Sequence, residues 1–398
     1  MSTHRRCCLV LHQLSREVAG FKVLQVLPSS MVGGTELNAL GLSRLLLTRG
    51  SSVDVCFAGP RGAVHNMFHD LGCDIWAASR SDNWLCRAGC YSAIIQGSRC
   101  NVVHSHLGYL SGGLCLAASA AGVPLVLSLH SLRVSALHRL QGNPVTRHAK
   151  QLCLRLQRRA LECATAVVGN SAATLDDYCV AWRDNPRRYR LIPNGLSLTP
   201  VRIGKTDARE SLKIPGGTFV LLHVGSFRPE KNHIGLLEIV GHIVKSIDPA
   251  VLICVGDGHE RPRIERAARE RGLAANVRFE GTQLDVRRYM AAADVLVFPS
   301  RFEGFGNVLV ESQDAELPIV ASDIAAHREV VAPPQHRFLF SLPDYRKAAY
   351  LICAQWRALQ ASDNCWVSTS AAWVRDRFAF AHVAADWGRL YAECVCQP

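Results

Sequence analysis

Asp294-Val295-Leu296-Val297-Phe298-Pro299-Ser300 is followed after two residues by Glu303-Gly304-Phe305-Gly306-Asn307-Val308-Leu309-Val310-Glu311. The first stretch is a short apolar run closed by Pro-Ser, the pattern of a buried strand and its stop. The second reads as a glycine-rich turn that opens a helix near Asn307. Strand, turn and helix in that order set the helix's unpaired backbone N–H groups and positive dipole end at the carboxyl edge of a sheet, a place suited to a diphosphate. Gly304 and Gly306 let the backbone approach a ligand closely. Two carboxylates eight residues apart flank the turn. Glu311, on the helix, suits hydrogen bonds to vicinal hydroxyls, whereas Glu303 sits on the turn itself. The plain alternative is two surface carboxylates beside an ordinary turn.

Outward from this stretch the chain alternates short apolar runs with helical ones. Toward the N-terminus the expected strands are 23–27, 52–57, 102–104, 125–129 and 166–169. A helix is expected over 36–48, where Leu37, Leu40, Gly41, Arg44, Leu45 and Thr48 fall at three- and four-residue steps. Leu191-Ile192-Pro193-Asn194-Gly195 then breaks the pattern, and after a polar segment it restarts: strands at 219–224, 251–255, 277–279, 295–298 and 319–321, helices at 261–271 and 308–316. This order predicts an α/β protein of two Rossmann-like, doubly wound domains facing across a cleft. The length of 398 residues agrees with more than one core. The expected divisions are an extension over 1–20, a first domain over 21–195, a second over 196–372, and helices over 373–398 that return toward the first.

Three further features carry chemistry. Val224-Gly225-Ser226-Phe227-Arg228-Pro229-Glu230-Lys231-Asn232 ends the first strand of the second half. Cations beside a glycine there can hold a diphosphate and neutralise charge growing on a leaving group. Gly33-Gly34, followed by Thr35 and Glu36, sits at the first strand-to-helix junction, where backbone amides can meet a phosphate or an acceptor, although a tight turn explains it equally. His104, His106 and His130 end strands of the first half.

The segment from Glu303 to Glu311 resembles the retaining glycosyltransferases of family 4, which have the GT-B fold, and the resemblance extends over about 21–391. It implies that Glu303 lies against a donor sugar and Glu311 binds the nucleotide ribose. Gly304, Phe305, Gly306, Asn307, Val308 and Leu309 would line the donor, Gly33 and Gly34 would serve the phosphates or acceptor, and His130 would contact the transferred sugar or acceptor. Lys231 matches the family's lysine. The family's arginine position is Ser226 here: either Arg228 reaches the phosphates from another turn position, or Lys231 works with less help. The implied activity is transfer of a sugar, with retention, from a UDP- or GDP-sugar to a glycan or lipid-linked acceptor of surface-polysaccharide or lipopolysaccharide assembly. No two aspartates stand two residues apart, so the metal device of the other main glycosyltransferase fold is lacking; neither metal nor other cofactor is expected. A sugar-nucleotide epimerase of the same shape and a non-catalytic nucleotide-sugar-binding scaffold are the rival readings.

Net charge is +12, from 45 Lys+Arg against 33 Asp+Glu, which points to an acidic partner without naming it. Seven of the basic residues, Arg133, Arg139, Arg147, Lys150, Arg155, Arg158 and Arg159, fall between Ser131 and Ala160 with no acid among them. With Leu152, Leu154 and Leu156 interleaved, this segment suits an anionic membrane surface, although a solvated helix face reads equally well. It lacks interleaved aromatics, so nucleic acid is not an expected partner. The stretch 101–132 carries no Asp, Glu, Lys or Arg, but its glycines, serines and Pro124 predict a buried helix and strand. The sixteen cysteines form no CxxC pair and are expected to be mostly buried free thiols. The apolar run near the N-terminus is short and broken by His12, so export is not expected. The resulting expectation is a cytoplasmic protein, peripheral on the inner membrane face.

Overall fold

The computed structural model describes residues 20–59, 61–78, 84–108, 111–133, 158–179, 181–198, 203–361 and 365–396. The chain divides into two compact units, one of 1–197 with 379–398 and one of 198–378.

The first unit is built on a seven-stranded parallel sheet: β1 (Lys22–Leu27), β2 (Ser52–Phe57), β3 (Asp74–Ala77), β4 (Val102–Ser105), β5 (Leu125–Leu129), β6 (Ala166–Gly169) and β7 (Tyr189–Leu191), in the spatial order β3-β2-β1-β4-β5-β6-β7. Side chains alternate across it. Val23 and Leu27 join Val53, Val55, Val102 and Val126 in a core beneath the Gly34–Thr48 helix and the Phe380–Cys396 helix. Leu24 and Val26 face the other way, with Val103, Leu125 and Leu127, toward Tyr91, Ile94 and Leu114. Gln25 therefore lies on the first face, fully buried between two apolar neighbours of its own strand. The charge-free stretch is the helix Gly112–Ala120 followed by β5, and no helix among the described residues is long and apolar enough to cross a membrane.

The second unit has six parallel strands: β8 (Phe219–Val224), β9 (Ala250–Val255), β10 (Val277–Gly281), β11 (Val295–Phe298), β12 (Ile319–Ser322) and β13 (Leu339–Phe340), ordered β10-β9-β8-β11-β12-β13. Winding reverses between β1 and β4 in the first sheet and between β8 and β11 in the second. The carboxyl ends of those pairs are where open α/β sheets hold ligands.

The two doubly wound sheets are those expected, but details differ. Strands β3, β7 and β13 were not anticipated: each is an edge strand of four residues or fewer, too short for its apolar residues to stand out as a strand. In the first helix, of the residues at helical steps only Leu40 is buried. Leu37, Arg44 and Thr48 are exposed, while Glu36, Asn38, Ala39, Leu42, Ser43 and Leu46 are buried beside Leu40. Polar partners draw that face inward: Gln25 Nε2 donates to Ser43 Oγ at 2.7 Å and Asn38 Nδ2 to Gly195 O at 3.1 Å. The C-terminal division lies at Phe378 rather than 372, because the Cys365–Phe378 helix buries Trp366, Ala371 and Val374 within the second unit. The break between the last two helices is Ala379, which forms a parallel bridge with Leu196. Of twelve described cysteines, all free, six are buried and three exposed. The extension over 1–19 and residues 134–157 of the basic segment lie outside the described residues.

Candidate functional site

Two clusters of polar groups stand at the two places where the sheets reverse. In the second unit, Lys231 Nζ lies 2.5 Å from Glu303 Oε1, with the side chains 17% and 12% exposed. The ammonium also sits over the Phe298 ring, 4.8 Å from its centre. Lys231 closes a 3-10 turn after β8, and Glu303 lies in the loop after β11, so the reversal of winding itself brings the two loops together. Asn232 ties them: in the left-handed conformation (φ 56°) it precedes the His233–Ile243 helix, donates to Pro299 O at 3.1 Å, and accepts from Arg301 at 3.2 Å. Burial raises the Glu303 carboxyl, but the charge and hydrogen bond of Lys231 beside it bring it below its ordinary value. The pair is ionic in the free protein.

Gly306 precedes the Asn307–Asp314 helix at φ 96°, left-handed backbone that glycine adopts without strain, and no side chain caps the helix. Glu311 is half-buried within this helix. Burial pushes its carboxyl up to about 7, with Arg287 pulling it down and Asp314 raising it. Phe305 and Leu309 were expected to line the donor, but their side chains are buried, Phe305 edge-on to Phe378 with centroids 5.4 Å apart. They can meet a ligand only through backbone. Gly304 is buried as well, and Asn307 and Val308 are half-buried. Arg228 is half-buried at the start of the Pro229–Lys231 turn and is in no ion pair with a described residue. Under the ion pair lie two imidazoles the sequence did not single out. His223 donates from Nδ1 to Val297 O at 2.9 Å and His327 from Nδ1 to Ser322 O at 2.7 Å; both are fully buried and held neutral by burial. Their only sequence signal is position, at or just past a strand's carboxyl end.

In the first unit Gly33 stands directly before the Gly34–Thr48 helix in extended backbone, without a side-chain cap. A Cβ at Gly33 would fall 2.5 Å from Glu36 Oε2. The Glu36 carboxylate, which accepts from Ser29 Oγ at 3.0 Å, thus folds back over the helix N-terminus, where negative charge is favoured. Gly34 is exposed. The three histidines lie side by side. His104 is fully buried and paired at both nitrogens, with Tyr391 Oη and Ser128 Oγ each at 2.7 Å, which makes it structural. His106 bridges Gln25 Oε1 at 3.0 Å and His130 Nε2 at 2.8 Å. His130 lies just beyond β5, half-buried as a residue, and its Nδ1, a buried atom, has no hydrogen-bond partner among the described residues. Of the basic segment, Arg133 faces Asp177 at 3.8 Å, and Arg158 and Arg159 pair with Glu162 at 3.1 and 3.6 Å.

Residues 32–199 match Glycosyltransferase Family 4, and residues 204–353 match Glycosyl transferases group 1. The D-inositol 3-phosphate glycosyltransferase 2 of Catenulispora acidiphila is 30% identical over 313 residues, 74% of this chain and 71% of that protein. EpsF of Bacillus subtilis is 31% identical over 240 residues, but there the match spans 58% of this chain and 60% of the relative. Among solved structures, Anabaena HepE in complex with UDP and glucose superposes with a TM-score of 0.77 at 21% identity, over 93% of this chain and 99% of that one. This last likeness is one of fold. The paired β8–β11 loops, the uncapped helix after Gly306 and the two family matches lead to one conclusion: the chain belongs to glycosyltransferase family 4, and its two doubly wound units have the architecture of the GT-B fold.

Proposed function

We propose that the protein transfers a sugar, with retention of configuration, from a nucleotide sugar to an acceptor hydroxyl. The observation that carries this reading is the Lys231–Glu303 pair, held at the β8–β11 reversal beside the uncapped helix that bears Glu311. A nucleoside diphosphate lying along this edge sets its phosphates against Lys231 and the helix N-terminus, its ribose hydroxyls against Glu311 and its sugar against Glu303. As the sugar–phosphate bond breaks, negative charge grows on the diphosphate. A preorganised cation and helix dipole stabilise that charge without reorganising. The acceptor hydroxyl then attacks from the same face, and the leaving phosphate takes its proton. In this scheme Lys231 supplies the charge that a divalent metal supplies elsewhere, so transfer needs no metal.

A UDP-sugar is the favoured donor, since HepE is described with UDP and glucose; a GDP-sugar is the alternative. The acceptor is a glycan or lipid-linked intermediate of surface-polysaccharide or lipopolysaccharide assembly, met at the cytoplasmic face of the membrane with the basic segment 131–160 against anionic lipid. Release of nucleoside diphosphate from a panel of UDP-, GDP- and ADP-sugars, with and without EDTA, tests the reading. One donor should be consumed equally in both, and NMR of the product should show the donor's anomeric configuration. No release from any donor, conversion of the donor to its epimer, or an inverted product would refute it.

A further inference from the structure

On the face of the first sheet that bears Val23, Leu27, Val53 and Val102 together with His104 and Ser128, the buried Gln25 begins a chain of hydrogen bonds whose direction can be derived. The Ala39 carbonyl only accepts, so Ser43 Oγ, 3.0 Å from it, spends its single hydrogen there. Ser43 must then accept from Gln25 at 2.7 Å, and the same Gln25 atom reaches Ala39 O at 3.3 Å. Two contacts therefore require that atom to be the amide nitrogen, which turns Oε1 toward His106. An amide oxygen cannot donate, so His106 Nε2 carries a hydrogen and gives it to Gln25 at 3.0 Å. His106 is neutral, since burial holds it well below its ordinary value, with His104 and His130 adding to the effect. Its Nδ1 is therefore bare and accepts from His130 Nε2–H at 2.8 Å. His130 is itself neutral, pushed down by burial to about 4, which leaves its buried Nδ1 a lone pair with no donor among the described residues. Beside this pair His104, its ring centre 4.1 Å from that of His106, is neutral, and Tyr391 is bonded to His104.

We propose that Gln25 and His106 are positioning residues that lock His130 with Nε2 protonated and the Nδ1 lone pair free, so that the site accepts the O–H of a sugar or acceptor hydroxyl at that atom. His130 is then a neutral hydrogen-bond acceptor that orients a hydroxyl, and a group offering only acceptor atoms is rejected there. The inference rests on the reading of the chain as a glycosyltransferase.

The near-isosteric change Gln25→Glu inverts the chain. A carboxylate in place of the amide favours a second proton, taken from solvent, on His106. Both His106 nitrogens then donate, so His130 must present a bare Nε2 to it and carry its hydrogen on Nδ1. An acceptor has become a donor. Nitrogen-15 NMR of histidine-labelled protein reads this directly, with His130 signals identified by their loss in His130→Phe. The wild type should show Nε2 protonated and Nδ1 bare, and Gln25→Glu the reverse, with kcat/KM for transfer lower by about 10- to 100-fold, as for one hydrogen bond replaced by opposed partners. A wild-type His130 protonated at Nδ1, an unchanged tautomer in the variant, or unchanged transfer after inversion would each overturn the proposal. If the variant does not fold, His106→Leu and His106→Asn replace it. Only Asn offers an acceptor near the Nδ1 position, so transfer should be about tenfold lower in the Leu variant, and equal activities would overturn the proposal. Absence of transfer by the wild type from every donor, with the expected tautomers in place, would instead refute the glycosyltransferase reading on which it rests.

Discussion

Replacing Lys231 with methionine removes the cation and keeps most of the stem that covers Phe298. In the native protein burial pushes the Glu303 carboxyl up while Lys231, 2.5 Å away, more than reverses this. Without the cation, burial is left largely unopposed, since the nearby His327 is itself neutral, and the carboxyl should move above its ordinary 4.5. Truncating one partner of a buried ion pair costs about 3–5 kcal/mol. With both side chains still 17% and 12% in water, about 2–3 kcal/mol is expected. For a unit of this size that corresponds to a Tm lower by about 5–10 °C. The sign of the pH dependence follows from the two carboxyls. The native one is depressed, so its stabilisation is present above 4.5 and lost as pH falls through the folded value. The variant's is raised, so its penalty exists only above 4.5 and disappears at lower pH. The gap between the proteins is therefore widest near pH 7 and closes toward pH 4. Calorimetric unfolding at both pH values measures it. Glu303→Gln, which leaves Lys231 free to turn to water, should cost less, and the double variant should recover part of the loss. In transfer, Lys231→Met should lower kcat by about 100- to 1,000-fold. An equally stable variant at pH 7, or a gap independent of pH, would refute the reasoning.

Binding of a UDP-sugar should tighten about tenfold between pH 6 and 8, since ribose hydroxyls donate to an ionised Glu311 and that carboxyl titrates near 7 in the free protein; titration calorimetry should find this dependence flattened in Glu311→Gln. A Cβ at Gly41 would lie 2.0 Å from Phe380 Cζ, so Gly41→Ala should lose about 1–3 kcal/mol by overpacking, measured by urea unfolding, with much of it regained when Phe380→Leu is added. Neutralising Arg155, Arg158 and Arg159 together should weaken sedimentation with anionic vesicles by at least about tenfold, given about 1 kcal/mol for each basic residue near such a surface; unchanged binding would make the segment an ordinary solvated face.

Central strands were readable because burial on both sides demands an unbroken apolar run. Phe219–Val224 and Leu125–Leu129 carry that demand in their composition. An edge strand such as β3 meets it on neither face, and Tyr189–Leu191 is recognisable only by its pairing with β6. Of the proposed site, the positions were legible from the sequence: Gly306 stands before a helix, and Lys231 and Glu303 stand in the segments that follow β8 and β11. That Lys231 and Glu303 bond to each other was not legible, since the contact depends on which strands are neighbours and the two are 72 positions apart. The same holds for Gln25, which reads as one polar interruption in β1 until the first helix brings Ser43 to one side and β4 brings His106 to the other.

The bridge between Leu196 and Ala379, reinforced by Phe380 N–H donating to Leu196 O at 3.2 Å, gives the first unit an order of assembly. The chain leaves this unit and re-enters it at neighbouring points, with the whole second unit inserted between. Val383, Trp387, Leu390 and Tyr391, which belong to the first unit's core, are made about 200 residues after the sheet they cover. At ordinary rates of synthesis the sheet waits about 10–40 s for its last helix. The unit that begins first is thus the one completed last, and a nonsense codon between the inserted unit and Val383 would leave that unit whole while uncovering the Gln25–His106 face of the other.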